Sequence, residues 1–530
     1  RWIVALFGKD IVPFSFVGLQ SGRTSTGHRT LGGFVRLAEP EEYFDAMEAV
    51  YVMVDQDKRR DIIWAQFNEL TEKAGGVVIE DNELLTEITH LVEYPTALMG
   101  KVDISYMNLP EEVITTPMKD HQRYFPVRSA DGELLPYFLT VRNGDSKGLD
   151  IVREGNNKVL KARLEDAAFY YREDQKKPLE SFVSELDRVV YHDKLGTVGQ
   201  RVTRLRQLSA VIADNMGLSK EKKELVDRTA YLAKADLVTH MVYDFPELQG
   251  IMGAYYAAGS REDEKVCKGI KEHYWPRFAG DSLPETITGM AVSIADKLDA
   301  IVGSFGIGIQ PTGSQDPYAL RRQALGVAGI LMKDKRNISM STLLEASYRT
   351  FEAQGVVLQP LEEIRSALND FFSQRVRYLL LEDGFHYDTI EAVMAQGSEY
   401  PYSVRKKAGV LTAERTEEKF TAYLNAYVRC VNLSKKEKVE GFNPEYLVDE
   451  SEIILAELLA QIAPLVSQAV GKFDFSEAYI KATELVPSIE KLFDSVMIMV
   501  EDKRLKTARL GLLNNCVSVL GCLGELTLLS

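Results

Sequence analysis

Cysteine is scarce in this chain of 530 residues, and its four copies are not spaced like the ligands of a metal site. Cys516 and Cys522 lie six residues apart in an apolar stretch with helical spacing, while Cys267 and Cys430 stand alone. Neither a zinc ribbon nor a disulfide framework is expected from this distribution. We therefore expect a protein of the reducing cytoplasm.

Long apolar runs are also missing. Runs such as Val496–Val500 fall far short of the roughly 18 residues that a membrane span needs. No signal peptide is evident either, so we predict no membrane partner. The sequence opens without methionine on Arg1–Phe7, a stretch typical of a strand already under way. We therefore expect the natural N-terminus to lie further upstream.

Catalytic motifs are absent as well. The sequence contains no GxSxG, HExxH or CxxC pattern, and none of the paired ATP-site motifs of class I synthetases. The glycines between Gly303 and Gly313 match neither GxGxxG nor the P-loop pattern, and they indicate a loop between two helices. If the chain belongs to a ligase, the chemistry of activation must lie on another polypeptide.

The net charge of −15 argues against non-specific coating of nucleic acid. Hydrophobic residues make up 45% and charged residues 27% of the chain, as in an ordinary globular protein. The total charge does not exclude RNA binding, because local clusters of cations determine the contacts with phosphate.

The pattern of apolar residues predicts a multidomain and mostly α-helical protein. Its predicted parts are an α+β region at 1–175, a helical domain at 176–335, a helical connection at 336–400 and a helical bundle at 401–530. Early features are a helix over 40–74 and a hairpin with strands at 121–127 and 135–141. Asp316-Pro317 predicts a helix start, with Asp316 as N-cap and Pro317 in the first turn. The bundle helices are predicted at about 403–433, 450–470, 474–485 and 488–526.

One segment of the second domain, residues 229–258, resembles the core of an HD-type phosphohydrolase. Such a metal site needs a His, an adjacent His-Asp pair and a distant Asp. Here the candidates are His192, Asp236 and Asp296, but Ala235 stands where the paired His would be. Alanine cannot bind a metal, so we expect no metal and no catalytic residue. The alternative to a role in metal binding is that Asp236 and Asp296 cap or brace buried helices.

Clusters of basic residues are the remaining candidates for function. They lie in two helical regions and fit a long polyanion better than a small ligand. A solvated surface is the alternative for any single cluster. The candidates in the second domain are Arg201, Arg204, Arg206, Arg321 and Arg322. Those in the last domain are Arg405, Lys406, Lys435, Lys436, Lys503, Arg504 and Arg509.

Several blocks in a fixed order resemble the β-subunit family of bacterial glycyl-tRNA synthetases. They are Ser21–Arg29, Met118–Pro126, Val159–Ala167, Lys194–Thr197, Thr229–Ala258, Pro276–Asp281, Ala295–Asp299 and Asp316–Arg322. The tail segments Phe493–Asp502 and Arg509–Leu513 are similar to the anticodon-binding domain shared with arginyl-tRNA synthetase.

This resemblance implies a fold and a role. It implies an N-terminal region like the B3/B4 module of the phenylalanyl-tRNA synthetase β subunit. It also implies an HD-like helical domain near the acceptor end of tRNA(Gly) and a C-terminal anticodon-binding bundle. It further implies an α subunit that carries ATP, Mg²⁺ and glycine, with an α2β2 holoenzyme as the expected assembly. No cofactor is expected on this chain, which alone would be inactive. Two alternatives stay open: a metal-dependent phosphohydrolase and a helical scaffold without an RNA role.

Overall fold

The computed structural model describes residues 2–435, 439 and 443–529. Two compact units divide the chain: one comprises Arg1–Lys177 and Thr239–Met252, and the other Pro178–Val238 and Gly253–Ser530. The expected fold class is confirmed at the level of a mostly helical protein with a small sheet-containing N-terminal region. The division into four domains stays a prediction.

The first unit contains short strands followed by a four-stranded antiparallel sheet and helices. Its strands are β1 (Ile3–Val4), β2 (Leu6–Phe7), β3 (Asp10–Ile11), β4 (Ser15–Phe16), β5 (Leu19–Gly22), β6 (Thr24–Thr26), β7 (Phe34–Arg36), β8 (Val77–Val78), β9 (Pro95–Lys101), β10 (Phe125–Arg128) and β11 (Leu134–Asn143). Its helices are α1 (Tyr43–Glu48), α2 (Gln56–Lys73), α3 (Asn82–Leu91), α4 (Glu111–Thr116), α5 (Leu149–Asp174) and, from the second segment, α8 (His240–Asp244).

Four strands form the main sheet of this unit, in the order β8-β10-β11-β9. The predicted hairpin is confirmed as the antiparallel pair β10–β11, with Gly132 at a φ of 90° in the turn. Its first strand starts later than predicted, because Pro117–His121 forms a π-helix. The predicted helix over 40–74 is two helices, α1 and α2.

Apolar side chains explain how the sheet is covered. Ile63 and Phe67 of α2 and Leu85 of α3 are buried in one cluster with Phe125 and Leu139 of the hairpin. Successive side chains of a strand point to opposite faces of the sheet. The face that carries Phe125 and Leu139 therefore packs against α2 and α3.

Among the described residues of the second unit, helices dominate and the strands are the small antiparallel pair β12 (Val190–His192) and β13 (Gly196–Thr197). Its first group of helices is α6 (Val198–Asn215), α7 (Lys220–Leu232), α9 (Ile251–Gly259), α10 (Glu264–Glu272), α11 (Ile287–Gly306), α12 (Leu320–Lys333), α13 (Met340–Ala353), α14 (Leu361–Glu382) and α15 (Tyr387–Met394). The bundle helices are α16 (Pro401–Glu414), α17 (Glu418–Ser434), α18 (Glu450–Gly471), α19 (Phe475–Thr483), α20 (Val486–Ser495) and α21 (Lys503–Leu520).

Helix α11 is the centre of the first group. Eighteen of its residues, Thr288 and Gly289 together with Ala291–Gly306, are buried. A helix that is buried on all sides must be surrounded by other helices, and α6, α7, α10, α12 and α13 pack around it. Asp296, Lys297 and Asp299 of this helix are consequently buried as well.

Two predicted details near this helix were partly right. Asp316 does cap a helix, since its carboxylate accepts hydrogen bonds from the backbone N–H groups of Leu320 and Arg321 at 2.8 and 3.0 Å. The helix itself starts at Leu320 rather than at Pro317. The glycine-rich stretch begins inside α11, at Gly303 and Gly306, before it becomes a loop.

Within the described residues, one helix is long and apolar enough to cross a membrane by length and composition, namely α18. Its Leu455, Leu459 and Ile462 are buried in the core of the bundle. A core helix of a helical bundle passes the same test, so this single helix is weak support for a membrane segment.

Candidate nucleic-acid interface

The segment that resembles an HD core contains buried ion pairs. Lys234 follows α7 directly, and its Nζ lies 3.1 Å from the carboxylate of Asp296 in α11. An Nη of Arg201, in α6, lies 3.0 Å from the same carboxylate. Two side-chain cations therefore surround the acid that would serve as the distant metal ligand of an HD enzyme.

Electrostatics favour the ionised form of this acid. Burial alone would raise the pKa of Asp296, but the charges of Arg201 and Lys234 outweigh it and hold the pKa well below its ordinary value. Burial lowers the pKa of Lys234 to about 8, although Asp296 opposes that shift. The lysine thus remains mostly protonated at neutral pH and neutralises the carboxylate.

The other two HD positions have different partners. Asp236 is buried, and its Oδ2 accepts a hydrogen bond of 2.9 Å from the backbone N–H of Gly253. His192 accepts a hydrogen bond of 3.1 Å at Nδ1 from the backbone N–H of Lys194. Across the described part of the chain, no group of three His, Cys, Asp or Glu side chains could hold a metal ion. The arrangement gives no support to the phosphohydrolase alternative.

A second buried lysine was not singled out from the sequence. The Nζ of Lys297 donates to the carbonyl oxygen of Trp275 at 2.9 Å and to the Ser293 hydroxyl at 2.8 Å. Burial lowers the pKa of this lysine to about 7. The signal available in the sequence was the run Asp296-Lys297-Leu298-Asp299, whose three charged residues lie in the middle of a mostly apolar helical stretch.

The surroundings of Arg201 and Arg204 argue against their predicted contact with RNA. Arg204 is fully buried, and its Nε lies 2.6 Å from Oδ1 of Asp299. Arg201 pairs with Asp296 and also lies 3.3 Å from Asp299. Both arginines therefore join α6 to α11, and their guanidinium groups are not available to a phosphate.

Three other cations of the predicted acceptor-side set reach solvent to different degrees. Arg206 is exposed and forms two 2.8 Å contacts with the carboxylate of Asp227. Arg322 is exposed and donates to the carbonyl oxygen of Arg277 at 3.0 Å, whereas Arg321 is half-buried. These three remain candidates for RNA contacts.

The predicted anticodon-side residues also divide by exposure. Arg405, Lys406, Lys435, Lys503 and Arg504 are exposed, and Lys436 lies outside the described residues. Arg509 is different, because its Nε is paired with the buried carboxylate of Glu452 and an Nη donates to the carbonyl oxygen of Met497 at 2.7 Å. This pairing argues against the predicted contact of Arg509 with RNA.

Three of the exposed cations lie at one end of a helix pair. The hydroxyl of Tyr423, near the start of α17, donates to the carbonyl oxygen of Leu520 at the end of α21, at 2.5 Å. Since the two helices pack together, they run antiparallel. Lys435 therefore lies at the same end of the pair as Lys503 and Arg504. We call these three residues the basic end of the bundle.

Comparisons with known proteins agree with this organisation. The model of the DALR anticodon binding domain matches residues 423–526, which include the basic end of the bundle. The fold and this match place the chain among proteins that carry a helical anticodon-binding domain. The model of the glycyl-tRNA synthetase beta subunit matches residues 1–395, and the chain belongs to the glycyl-tRNA synthetase beta subunit family.

Curated relatives are similar over nearly the whole chain. The glycine–tRNA ligase beta subunit of Desulfitobacterium hafniense strain DCB-2 is 59% identical over 530 residues, which cover 100% of this chain and 77% of that protein. The beta subunit of Moorella thermoacetica is 44% identical over 522 residues, covering 98% and 75%. That of Halalkalibacterium halodurans is 42% identical over 522 residues, also covering 98% and 75%.

Proposed function

We propose that this chain is the tRNA-recognition subunit of a heteromeric glycine–tRNA ligase. The observation that carries the proposal is the anticodon-binding bundle with exposed cations at one end. Buried side chains neutralise one another in the HD-like segment, which leaves no evident reacting group there. Family membership supports the same division of labour, in which a partner subunit activates glycine.

The partners follow from this role. We infer an α subunit that binds ATP, Mg²⁺ and glycine, an α2β2 assembly, and tRNA(Gly) as the shared substrate in the cytoplasm. The basic end of the bundle would contact the anticodon region. Arg206, Arg321 and Arg322, together with an HD-like fold of their surroundings, would serve the acceptor side.

A physical argument favours recognition through the RNA. Glycine has no side chain, so an enzyme that charges it can only exclude larger amino acids and gains little discrimination from binding the amino acid itself. Accuracy must then come from the tRNA, where phosphate contacts position the molecule and unstacked loop bases supply its identity.

Glycylation is the direct test of the proposal. The full chain alone should charge no tRNA(Gly), whereas addition of the α subunit should give glycyl-tRNA. Formation of glycyl-adenylate by the chain alone would overturn the proposal.

Binding of tRNA tests the basic end of the bundle. The wild-type affinity should fall with salt, with a log–log slope of roughly −0.7 to −0.9 for each phosphate contact. The double variant Lys503→Glu/Arg504→Glu should bind about tenfold more weakly or worse. Lys265→Glu/Lys268→Glu, on the exposed side of α10, is the matched control and should bind like wild type. Equal affinity of all three proteins would favour the helical scaffold.

A further inference from the structure

A cleft of about 440 Å³ lies between α12, α14 and α16 of the second unit. It is outside the HD-like segment and contains none of the three residues of the basic end of the bundle, although Arg405 is one of the predicted anticodon-side contacts. Its lining residues are Leu283, Gly329, Met332, Lys333, Leu379, Asp383 and Arg405.

The floor of the cleft is apolar. Leu283 and Leu379 are only half-buried, so their side chains present apolar surface to the opening. Gly329 lies between them: a Cβ at this position would be 3.6 Å from one methyl carbon of Leu283 and 3.9 Å from one of Leu379. The missing side chain of Gly329 therefore leaves the floor open.

The rim of the cleft is cationic. Lys333, in the last turn of α12, is exposed, and Arg405, in the first turn of α16, has 48% of its side chain exposed. Arg405 is held at the rim by Asp383, whose carboxylate lies 2.7 Å from its Nε. Two cations and one acid leave the rim with a net positive charge.

An apolar floor beside a positive rim matches the chemistry of a nucleotide. A base offers a flat face for apolar contact, and its flanking phosphates offer negative charge. Every base of RNA has an apolar face that can lie on such a floor, while Lys and Arg can bind the flanking phosphates. The cleft volume is also larger than a single base requires.

We propose that this cleft binds one unpaired nucleotide of the tRNA, with its base against Leu283, Gly329 and Leu379 and its phosphates near Lys333 and Arg405. The proposal rests on the proposed function, since it assigns a further contact to the same RNA. It adds a base contact to the predicted phosphate contacts with this RNA, one of which is that of Arg405.

The main test fills the cleft without changing any charge. In the full chain, Gly329→Met should reduce the affinity for tRNA(Gly) about tenfold, because the new side chain occupies the position of the base. The log–log salt slope should stay as in wild type, since no phosphate contact is lost. Gly329→Ala should bind nearly like wild type, because its Cβ would make only ordinary van der Waals contacts with Leu283 and Leu379.

A matched control is available in α16. Gly409 is also inside a helix, and a Cβ there would meet nothing within 4 Å. Gly409→Met should therefore leave the affinity unchanged and raise thermal stability slightly, because it replaces a glycine inside a helix. Affinity of Gly329→Met equal to that of Gly409→Met would overturn the proposal.

A second variant tests the rim and does not depend on a core substitution. Lys333→Gln/Arg405→Gln should weaken binding and make the salt slope shallower by about 1.5 in the log–log plot. Conversely, Asp383→Asn should strengthen binding, because it frees Arg405 and removes a repulsive charge. Unchanged affinity and slope in both rim variants would also overturn the proposal.

The two proposals fail in different ways. If the cleft proposal alone is wrong, wild type binds tRNA and Lys503→Glu/Arg504→Glu weakens binding, while the cleft variants bind like wild type. If the proposed function is wrong, wild type itself shows no salt-dependent binding of tRNA(Gly).

Discussion

Lys234 and Asp296 form a buried ion pair, with the lysine Nζ 3.1 Å from the carboxylate. The two residues lie 62 positions apart and join the end of α7 to the middle of α11. Arg201 adds a third charge to the pair. Two side-chain cations therefore balance the buried carboxylate of Asp296.

Removal of the acid should destabilise the second unit strongly. Asp296→Ala leaves Lys234 and Arg201 buried without their shared partner, which should cost about 3–5 kcal/mol of unfolding free energy. Denaturant unfolding followed by circular dichroism measures this loss. The exposed pair Lys223–Asp214 gives a control, since Asp214→Ala should cost less than about 1 kcal/mol. If Asp296→Ala and Asp214→Ala lost the same free energy of unfolding, the buried pair would contribute no more to stability than the exposed one.

Stability should rise with pH because of Lys297. Burial lowers its pKa from 10.5 in the unfolded chain to about 7 in the folded protein. Between these values the unfolded state binds more protons, so the group favours folding increasingly as the pH rises from 7 toward 10. Lys297→Met should lack this contribution, so its stability should rise less steeply with pH than that of wild type, and the rise above pH 8 that remains should come from Lys234, whose pKa burial lowers to about 8.

The unfolding midpoint at pH 7, 8 and 9 checks the pH prediction. Exposed Lys265→Met is the control and should keep the wild-type dependence. If the unfolding midpoints of Lys297→Met and wild type changed equally with pH, Lys297 would not contribute to the pH dependence of stability.

Apolar spacing predicted most helices, but it missed two breaks in the bundle. The predicted helix 403–433 is divided after Glu414, where Arg415 turns to contact Asp388 at 2.7 Å. The predicted helix 488–526 is divided before Lys503, where α21 begins with Asp502 as its N-cap. The second break had a local signal in the sequence, namely an acid placed to cap a helix. At the first break, Arg415 pairs with a residue 27 positions away, a contact that local spacing does not reveal.

The candidate site was harder to predict than the fold. Arg204 has an ordinary position in a basic cluster, and only its partner Asp299, 95 residues later, shows that it is buried. Arginine is rarely buried unless it is paired, so exposure was the natural expectation from the sequence alone. In contrast, Ala235 cannot be a metal ligand because of its residue type, and this could be seen directly in the sequence.

A close contact in the first unit gives a prediction for the sheet. Gly100 of β9 is paired with Phe138 of β11, and a Cβ there would lie 2.1 Å from the phenyl ring and 2.6 Å from Oδ1 of Asn157. Gly100→Ala should therefore lower stability by about 1–3 kcal/mol through overpacking.

The control for this substitution lies in α5. A Cβ on Gly155 meets nothing within 4 Å, so Gly155→Ala should raise stability by about 0.5–1 kcal/mol. Thermal unfolding compares the two variants. A Gly100→Ala protein as stable as wild type would show that Phe138 can move aside at little cost.

Arg504 and Arg509 are both basic residues of α21, but their substitution should affect different properties. Substitution of Arg509 should mainly lower stability, whereas substitution of Arg504 should mainly weaken the binding of tRNA. Arg509 is paired with Glu452, whose Oε2 also accepts the backbone N–H groups of Val448 and Asp449 at 3.0 Å. Arg509→Ala leaves a fully buried carboxylate without its cation and should cost about 3–5 kcal/mol of stability. Arg504 is exposed, so Arg504→Ala should change stability by less than about 0.5 kcal/mol.

Binding of tRNA separates the two roles further. Arg504→Ala should weaken binding and make the salt slope shallower by about 0.7–0.9, because one phosphate contact is lost. Arg509→Lys should keep the positive charge yet recover only part of the stability, since an ammonium cannot reproduce the geometry of a guanidinium. Its affinity for tRNA(Gly), measured well below its unfolding midpoint, should equal that of wild type. Weaker binding by a fully folded Arg509→Lys protein would place Arg509 in contact with RNA after all.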